Sequence, residues 1–307
     1  MSKRSNMERF LDDKNSRERI VSFWHHFSED CWFSEKAVEA HLNFYRETGI
    51  DFLKIMEEVR YEFNFSDVSG WRGFKLPNEK SKERNAQLDL IKKISDAIGD
   101  ECMIFTTIFD PLRSVGIVKG YDFIETHIKE DEKAVSDAFL DMAESIIRYA
   151  VDCLAAGADG IFFSSKGAEK GRFSEETFMN IVHTPDKYIT DLLYQTGKRN
   201  ILHICGYNTE LKYYSDFNTD IVNWDCHNGH TLSEGAELFK DKIILGGMKN
   251  RGGVLTNGTV EEIEEEVKSV VTGFTSSNRL ILGADCTLDE DVDYSRVKAA
   301  VCAYHQL

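Results

Sequence analysis

The 307-residue chain is short of the features that mark export, membrane insertion or polynucleotide binding. No stretch approaches the roughly 18 consecutive apolar residues that a membrane-spanning helix needs. Residues 1–14 mix Lys3, Arg4, Glu8, Arg9, Asp12 and Asp13 and lack the apolar segment of a secretory signal. Positive charge is scarce: 37 Lys and Arg against 53 Asp and Glu leave a net charge of −16, a sign that repels nucleic acid phosphates and anionic membranes alike. A small anionic substrate can still be held by one or two well-placed basic side chains. The seven cysteines, at 31, 102, 153, 205, 226, 286 and 302, are odd in number and scattered, which suits a reducing compartment better than a disulfide framework. The expectation is a cytoplasmic protein with neither nucleic acid nor membrane among its partners. Proline occurs only at 77, 111 and 185, and no low-complexity stretch or Gly/Ser linker divides the chain, although residues 66–85 are polar and loop-like. With 42% hydrophobic residues the chain can bury one large core, so the expected organisation is a single domain over 1–307, with 1–20 as an N-terminal extension.

What is present is alternation. Short apolar runs rich in β-branched and aromatic residues recur at 51–56, 103–109, 160–164, 200–204, 221–224, 243–245 and 280–282. Segments of helical spacing lie between them, such as 131–156, 185–196 and 260–271. Repeated βα units of this kind predict a parallel sheet with helical crossovers. Seven strands are legible and an eighth is not. Thr259 and Glu262 have capping-box spacing, and Glu261 and Glu262 favour a helix N-terminus, so a helix should start there. Periodicity alone fits both a closed barrel and an open doubly wound sheet.

The residues that carry chemistry decide between them. In ILHICG, His203 and Cys205 stand two apart on an apolar strand and therefore on the same side. At the C-terminal end of a barrel strand that side is the mouth, where barrel active sites are built. An imidazole and a thiolate there suit zinc, which takes about four N, S or O ligands at ~2.0–2.3 Å. The triplet alone reads equally well as a buried histidine beside a core cysteine. Cys286, after the apolar run LILGAD, is a second cysteine at a strand end and strengthens the metal reading. Three ligands, His203, Cys205 and Cys286, leave one position for an exchangeable group, as in catalytic rather than structural zinc sites.

The segment HICGYNTELK resembles the His-x-Cys-Gly motif of the methylcobamide:coenzyme M methyltransferases, corrinoid-linked members of the uroporphyrinogen decarboxylase superfamily, which is related to cobalamin-independent methionine synthase. GADGIFFSS, IVNWDCHN and ILGGMKNRGGVLTNGTVEEIEEEVK are similar to further family segments in the same order. ERIVSFWHHF and GIDFLKIMEEVRYEF resemble N-terminal segments of the superfamily, and the resemblance runs over about 18–300. It implies a distorted (β/α)8 barrel with zinc on His203, Cys205 and Cys286. It also implies transfer of a methyl group from methylcobalamin, free or on a corrinoid protein, to a small thiol. Coordination would deprotonate a thiol whose ordinary pKa is near ~8.5.

Asp225 is similar to the acidic position that follows the His-x-Cys motif in related zinc methyltransferases. It is expected either to ligate zinc, to orient His203, or to cap a helix. Cys226 and His227, adjacent on an extended segment, are expected to point apart and to stay out of the site. The loop GGMKNRGG brings Lys249 and Arg251 to the expected mouth, where they could hold an anionic tail; plain surface turns share this composition. Here the family's Gly-Asn-x-Asp-Pro pattern is replaced by Gly-Gly-Met-Lys. Lys54 and Glu57 at the first strand's end, and Asp159 near the third strand, are weaker candidates. Porphyrinogen decarboxylation is the second reading, against which stands the lack of an arginine-rich N-terminal motif beyond Arg17 and Arg19. A non-catalytic zinc- or corrinoid-binding protein is the third.

Overall fold

The computed structural model describes residues 2–76 and 81–307. Eight strands form one parallel sheet: β1 (Ile20–Val21), β2 (Phe52–Ile55), β3 (Met103–Phe109), β4 (Gly160–Lys166), β5 (Arg199–Cys205), β6 (Ile221–Trp224), β7 (Ile243–Met248) and β8 (Leu280–Ala284). Their order is β1-β8-β7-β6-β5-β4-β3-β2. The two ends of that order meet across a seam in which the Asp51 N–H donates to the Val21 carbonyl at 2.9 Å and Asp51 Oδ2 accepts the Val21 N–H at 2.8 Å. The Ser22 hydroxyl adds a bond to the Phe52 carbonyl at 2.8 Å. The result is the distorted, nearly closed (β/α)8 barrel that the site motifs favoured over an open sheet. The strand missing from the periodicity is β1, whose two residues are too few to register as alternation.

Inward-facing side chains fill the barrel with Trp24, Phe52, Phe105, Phe162, Ile201, Ile221, Leu245 and Ile281. An N-terminal helix, Lys3–Asp12, adds Met7, Phe10 and Leu11 to that cluster. It sits against the N-terminal ends of the strands, where Arg4 pairs with Asp159 at 2.6 Å and donates to the Cys102 carbonyl at 3.2 Å. Asp159 is thereby a structural partner at the end opposite the mouth. With that end plugged, the C-terminal end of the barrel is left for chemistry.

The helices follow their local signals closely. The helix expected from 260 is Val260–Gly273, with Thr259 and Glu262 exchanging both capping-box hydrogen bonds. The one expected over 131–156 is the second part of Tyr121–Ala155, which breaks at Asp131 (φ −155°, ψ 80°), whose carboxylate accepts the Ala134 N–H. The polar stretch 66–85 is a loop only in part: Val68–Trp71 forms a 3-10 turn that buries Trp71 against Phe65 and Phe139, and a helix begins at Lys82. Residues 77–80 of that stretch lie outside the described residues. None of the described helices is long and apolar enough to cross a membrane.

Candidate metal centre

His203 and Cys205 project from the last turns of β5 on one side, as the two-residue spacing requires. Gly206, at φ +129°, then turns the chain; a Cβ there would stand 2.8 Å from Cγ of Glu169. Cys286, two residues past β8, arrives from across the mouth, with its Sγ 3.4 Å from His203 Nε2. The ligand atoms of His203, Cys205 and Cys286 all lie within 4.8 Å of one another. Neighbouring donors of a tetrahedral zinc site stand about 3.3–3.8 Å apart, so the donor set fits the metal in number, chemistry and spacing.

The imidazole is prepared from behind by Asn223. Its side-chain nitrogen donates to the carbonyls of Leu245 (2.8 Å) and Ala284 (3.0 Å), which leaves Oδ1 facing His203 Nδ1 at 2.5 Å. An oxygen there must be met by N–H, so His203 carries its proton on Nδ1 and presents the Nε2 lone pair toward the cysteines. Asn223, fully buried, is a functional residue that sequence reasoning missed. Its only signal was its place, in register with His203 on the neighbouring strand.

The two thiols divide one proton unequally. The hydrogen bond from Cys205 lowers the Cys286 thiol to about 6 against the cost of its burial, and the Arg113 and Lys54 charges add to the lowering. The same bond, together with burial, raises Cys205 to about 11. Arg113 Nη1 donates to Cys205 Sγ at 2.9 Å. Burial opposes the Arg113 charge, yet the cysteines and Asp110 hold it above its ordinary value. The sequence did carry a signal for Arg113: Asp110-Pro111 after β3 has the chemistry of a helix start, and Asp110 caps the helix Pro111–Lys119. In chelator-treated protein, alkylation should label Cys286 first, at a rate rising through about pH 6 rather than near ~8.5. Peptide mapping after iodoacetamide across a pH series checks this, and a midpoint near 8.5 would contradict it.

Other expected site residues separate. Asp225 lines the mouth, but its Oδ1 accepts the N–H groups of His227 (2.9 Å) and Asn228 (3.0 Å) and its Oδ2 accepts from the Asn228 side chain. It holds the turn after β6, and the orientation of His203 falls to Asn223. Arg251 lines the mouth and pairs with Asp289 at 3.0 Å. Lys249, the first residue after β7, lines a neighbouring groove and not the mouth. Lys54 is buried inside the barrel rather than at the mouth, with Nζ 4.3 Å from the Phe162 ring centroid and 2.9 Å from Met56 Sδ. Burial lowers it to about 7. Glu57 is likewise buried, accepts the Phe109 N–H at 2.8 Å and is raised by burial to about 8. Cys226 and His227 correct the expectation that they point apart: Sγ and Nδ1 lie 3.5 Å from each other. β6 ends at Trp224, so strand alternation no longer applies to them.

The mouth encloses a cavity of about 230 Å³. Besides His203, Cys205 and Cys286, its lining includes His26, Arg113, Lys166, Tyr207, Asn250 and Arg251. Arg113, Lys166 and Arg251 bring three cations to this lining, which also holds Asp225 and Asp285.

The family model for uroporphyrinogen decarboxylase matches residues 60–307. The methylcobamide:CoM methyltransferase MtaA of Methanosarcina barkeri is 26% identical over 222 residues, 71% of this chain; the match spans 62% of that relative. Among solved structures, a methyltransferase from Methanosarcina mazei superposes with a TM-score of 0.82 at 16% identity, covering 100% of this chain and 99% of that one. A B12-independent methionine synthase from Shewanella sp. W3-18-1 gives 0.62 at 15% identity, over 93% and 96% of the two chains. These structures share the fold.

Proposed function

The chain belongs to the uroporphyrinogen decarboxylase family, and from that membership and the chemistry of its barrel mouth we propose that it is a zinc-dependent methyltransferase moving a methyl group from a methylated corrinoid to a small thiol. The observation that carries this reading is the convergence of His203 Nε2, Cys205 and Cys286, with Nδ1 of the histidine already engaged. Zinc held by these residues would supply a coordination position at which a thiol is bound as its thiolate. Asn223 engages Nδ1 of His203 and so holds the ring with Nε2 turned toward the cysteines. Arg113 donates to Cys205 and so places a positive charge beside the cysteine pair. Lys166 and Arg251, paired with Glu169 and Asp289, put two cations on the cavity wall for the rest of an anionic thiol.

Size argues for the same division of labour. About 230 Å³ lies below the ~300–1,000 Å³ of pockets that hold drug-sized ligands. A small thiol fits inside, whereas a corrin macrocycle would rest over the mouth and present only its methyl group. The relative from Methanosarcina barkeri is described as acting on methylcobamide and CoM. A cavity of this size supports a small thiol over a multiply charged porphyrinogen, and decarboxylation is the second reading.

The test is anaerobic conversion of methylcobalamin to cob(I)alamin, followed by absorbance, with a panel of neutral and anionic thiols. Turnover is expected with at least one anionic thiol. Arg251→Ala should raise KM for anionic thiols while leaving kcat near wild type, and Lys249→Ala should change neither. Decarboxylation of a porphyrinogen without any thiol methylation would replace this reading with the second one, and zinc binding without turnover on any donor would leave a binding protein.

A further inference from the structure

The turn after β6 carries a second convergence of metal-binding side chains, separate from His203, Cys205 and Cys286. Cys226 Sγ lies 3.1 Å from Asp285 Oδ1 and 3.5 Å from His227 Nδ1, and His227 Nδ1 lies 2.6 Å from Asp285 Oδ2. One sulfur, one imidazole nitrogen and one carboxylate thus face a common point from two loops. With bonds of about 2.0–2.3 Å, tetrahedral donors of these kinds stand roughly 3.3–3.6 Å apart. The sulfur–carboxylate and nitrogen–carboxylate pairs must both open to admit an ion, each by less than about 1 Å.

The backbone already holds these donors in place. Asp285, 2% exposed, accepts the Cys226 N–H at 3.0 Å with the same carboxylate that meets the thiol. Asp225 fixes the His227 N–H at 2.9 Å. Cys226 and His227 open onto a groove of about 930 Å³ outside the barrel mouth, whose lining includes Lys249, Gly252, Gly253 and Glu266. Lys249 is therefore placed to serve this groove rather than the mouth.

We infer that Cys226, His227 and Asp285 form a second metal site, for a borderline divalent cation of the zinc class. Its remaining coordination position opens to the groove, for a water or a small anionic ligand. The mixed sulfur, nitrogen and oxygen donors set it apart from magnesium and calcium sites, which are built from oxygen. An ion here ties the turn after β6 to the end of β8, next to Cys286. The His227–Asp285 contact at 2.6 Å makes the same link. The inference uses no ligand of the barrel-mouth centre and does not depend on the methyltransferase reading.

The experiment is metal stoichiometry of the full chain after loading with zinc and exhaustive dialysis, repeated with Co2+, whose thiolate charge-transfer absorption reports sulfur coordination. Wild type should retain two equivalents. Cys226→Ser and, separately, His227→Ala should each retain one, with melting temperatures near wild type because both residues sit on an accessible turn. Cys286→Ser should also retain one, and its remaining thiolate–cobalt absorption should vanish in the Cys226→Ser/Cys286→Ser double variant. A single wild-type equivalent that neither Cys226→Ser nor His227→Ala disturbs would overturn the second site. A single equivalent lost in Cys226→Ser but kept in Cys286→Ser would establish it while removing the barrel-mouth centre.

Discussion

Cys286→Ser should lose one equivalent of zinc relative to wild type and lower the rate of methyl transfer by about three orders of magnitude or more. A hydroxyl is a poor substitute for a thiolate on zinc, and a three-ligand site has none to spare. Loss of the metal withdraws several kcal/mol of charge stabilisation, at about 1.4 kcal/mol per factor of ten. Cys286 is only partly buried and its thiol meets His203 Nε2 and the Thr287 hydroxyl, so serine should leave the barrel standing. Zinc analysis, a thermal melt and the cobalamin assay on the same preparation separate these effects. Cys205→Ser should behave likewise, with the serine oxygen taking the place of sulfur as acceptor of the Arg113 bond. Wild-type zinc content in both variants would sink the assignment of the centre.

Asn223→Ala should cost both stability and metal affinity. The change leaves His203 Nδ1 and the carbonyls of Leu245 and Ala284 without their partner, all inside the barrel. An unsatisfied buried polar group costs about 1–3 kcal/mol, so a total loss of about 3 kcal/mol is expected after relaxation. For 307 residues that is a fall in Tm of roughly 5 °C. Groups that orient a metal-bound histidine are typically worth about 10–100-fold in metal affinity or activity. Competition with a chelator should reveal that loss for zinc at temperatures where the variant is still folded. If Tm falls while zinc affinity stays at the wild-type value, Asn223 is a core residue and does not position His203.

Asn223 also marks where reading the chain by period stops. The seven legible strands were found because alternation is a local property, and the capping box at Thr259 and Glu262 was found because a helix start is local too. His203 and Cys205 were paired because two residues along a strand return to the same side. Arg113 carried a local signal in Asp110-Pro111 but was reachable only once β3 was known to stand one strand away from β5, across β4. Cys226 and His227 were misread because alternation was extended past Trp224, the last residue of β6.

The chain's order of apolar runs and helical segments determined a parallel α/β architecture, and the placing of His203, Cys205 and Cys286 at strand ends determined where a metal would be sought. Side-chain direction within regular strands and helices follows from backbone geometry, which neighbouring residues impose. The tertiary structure alone decided that Asn223 rather than Asp225 steadies His203, that Arg251 and Lys249 serve different cavities, and that Lys54 lies under the mouth. Each of these depends on loops without a repeating backbone, or on strands brought together from distant parts of the sequence. In such places the direction of a side chain is set by what packs against it, and no spacing along the chain encodes that.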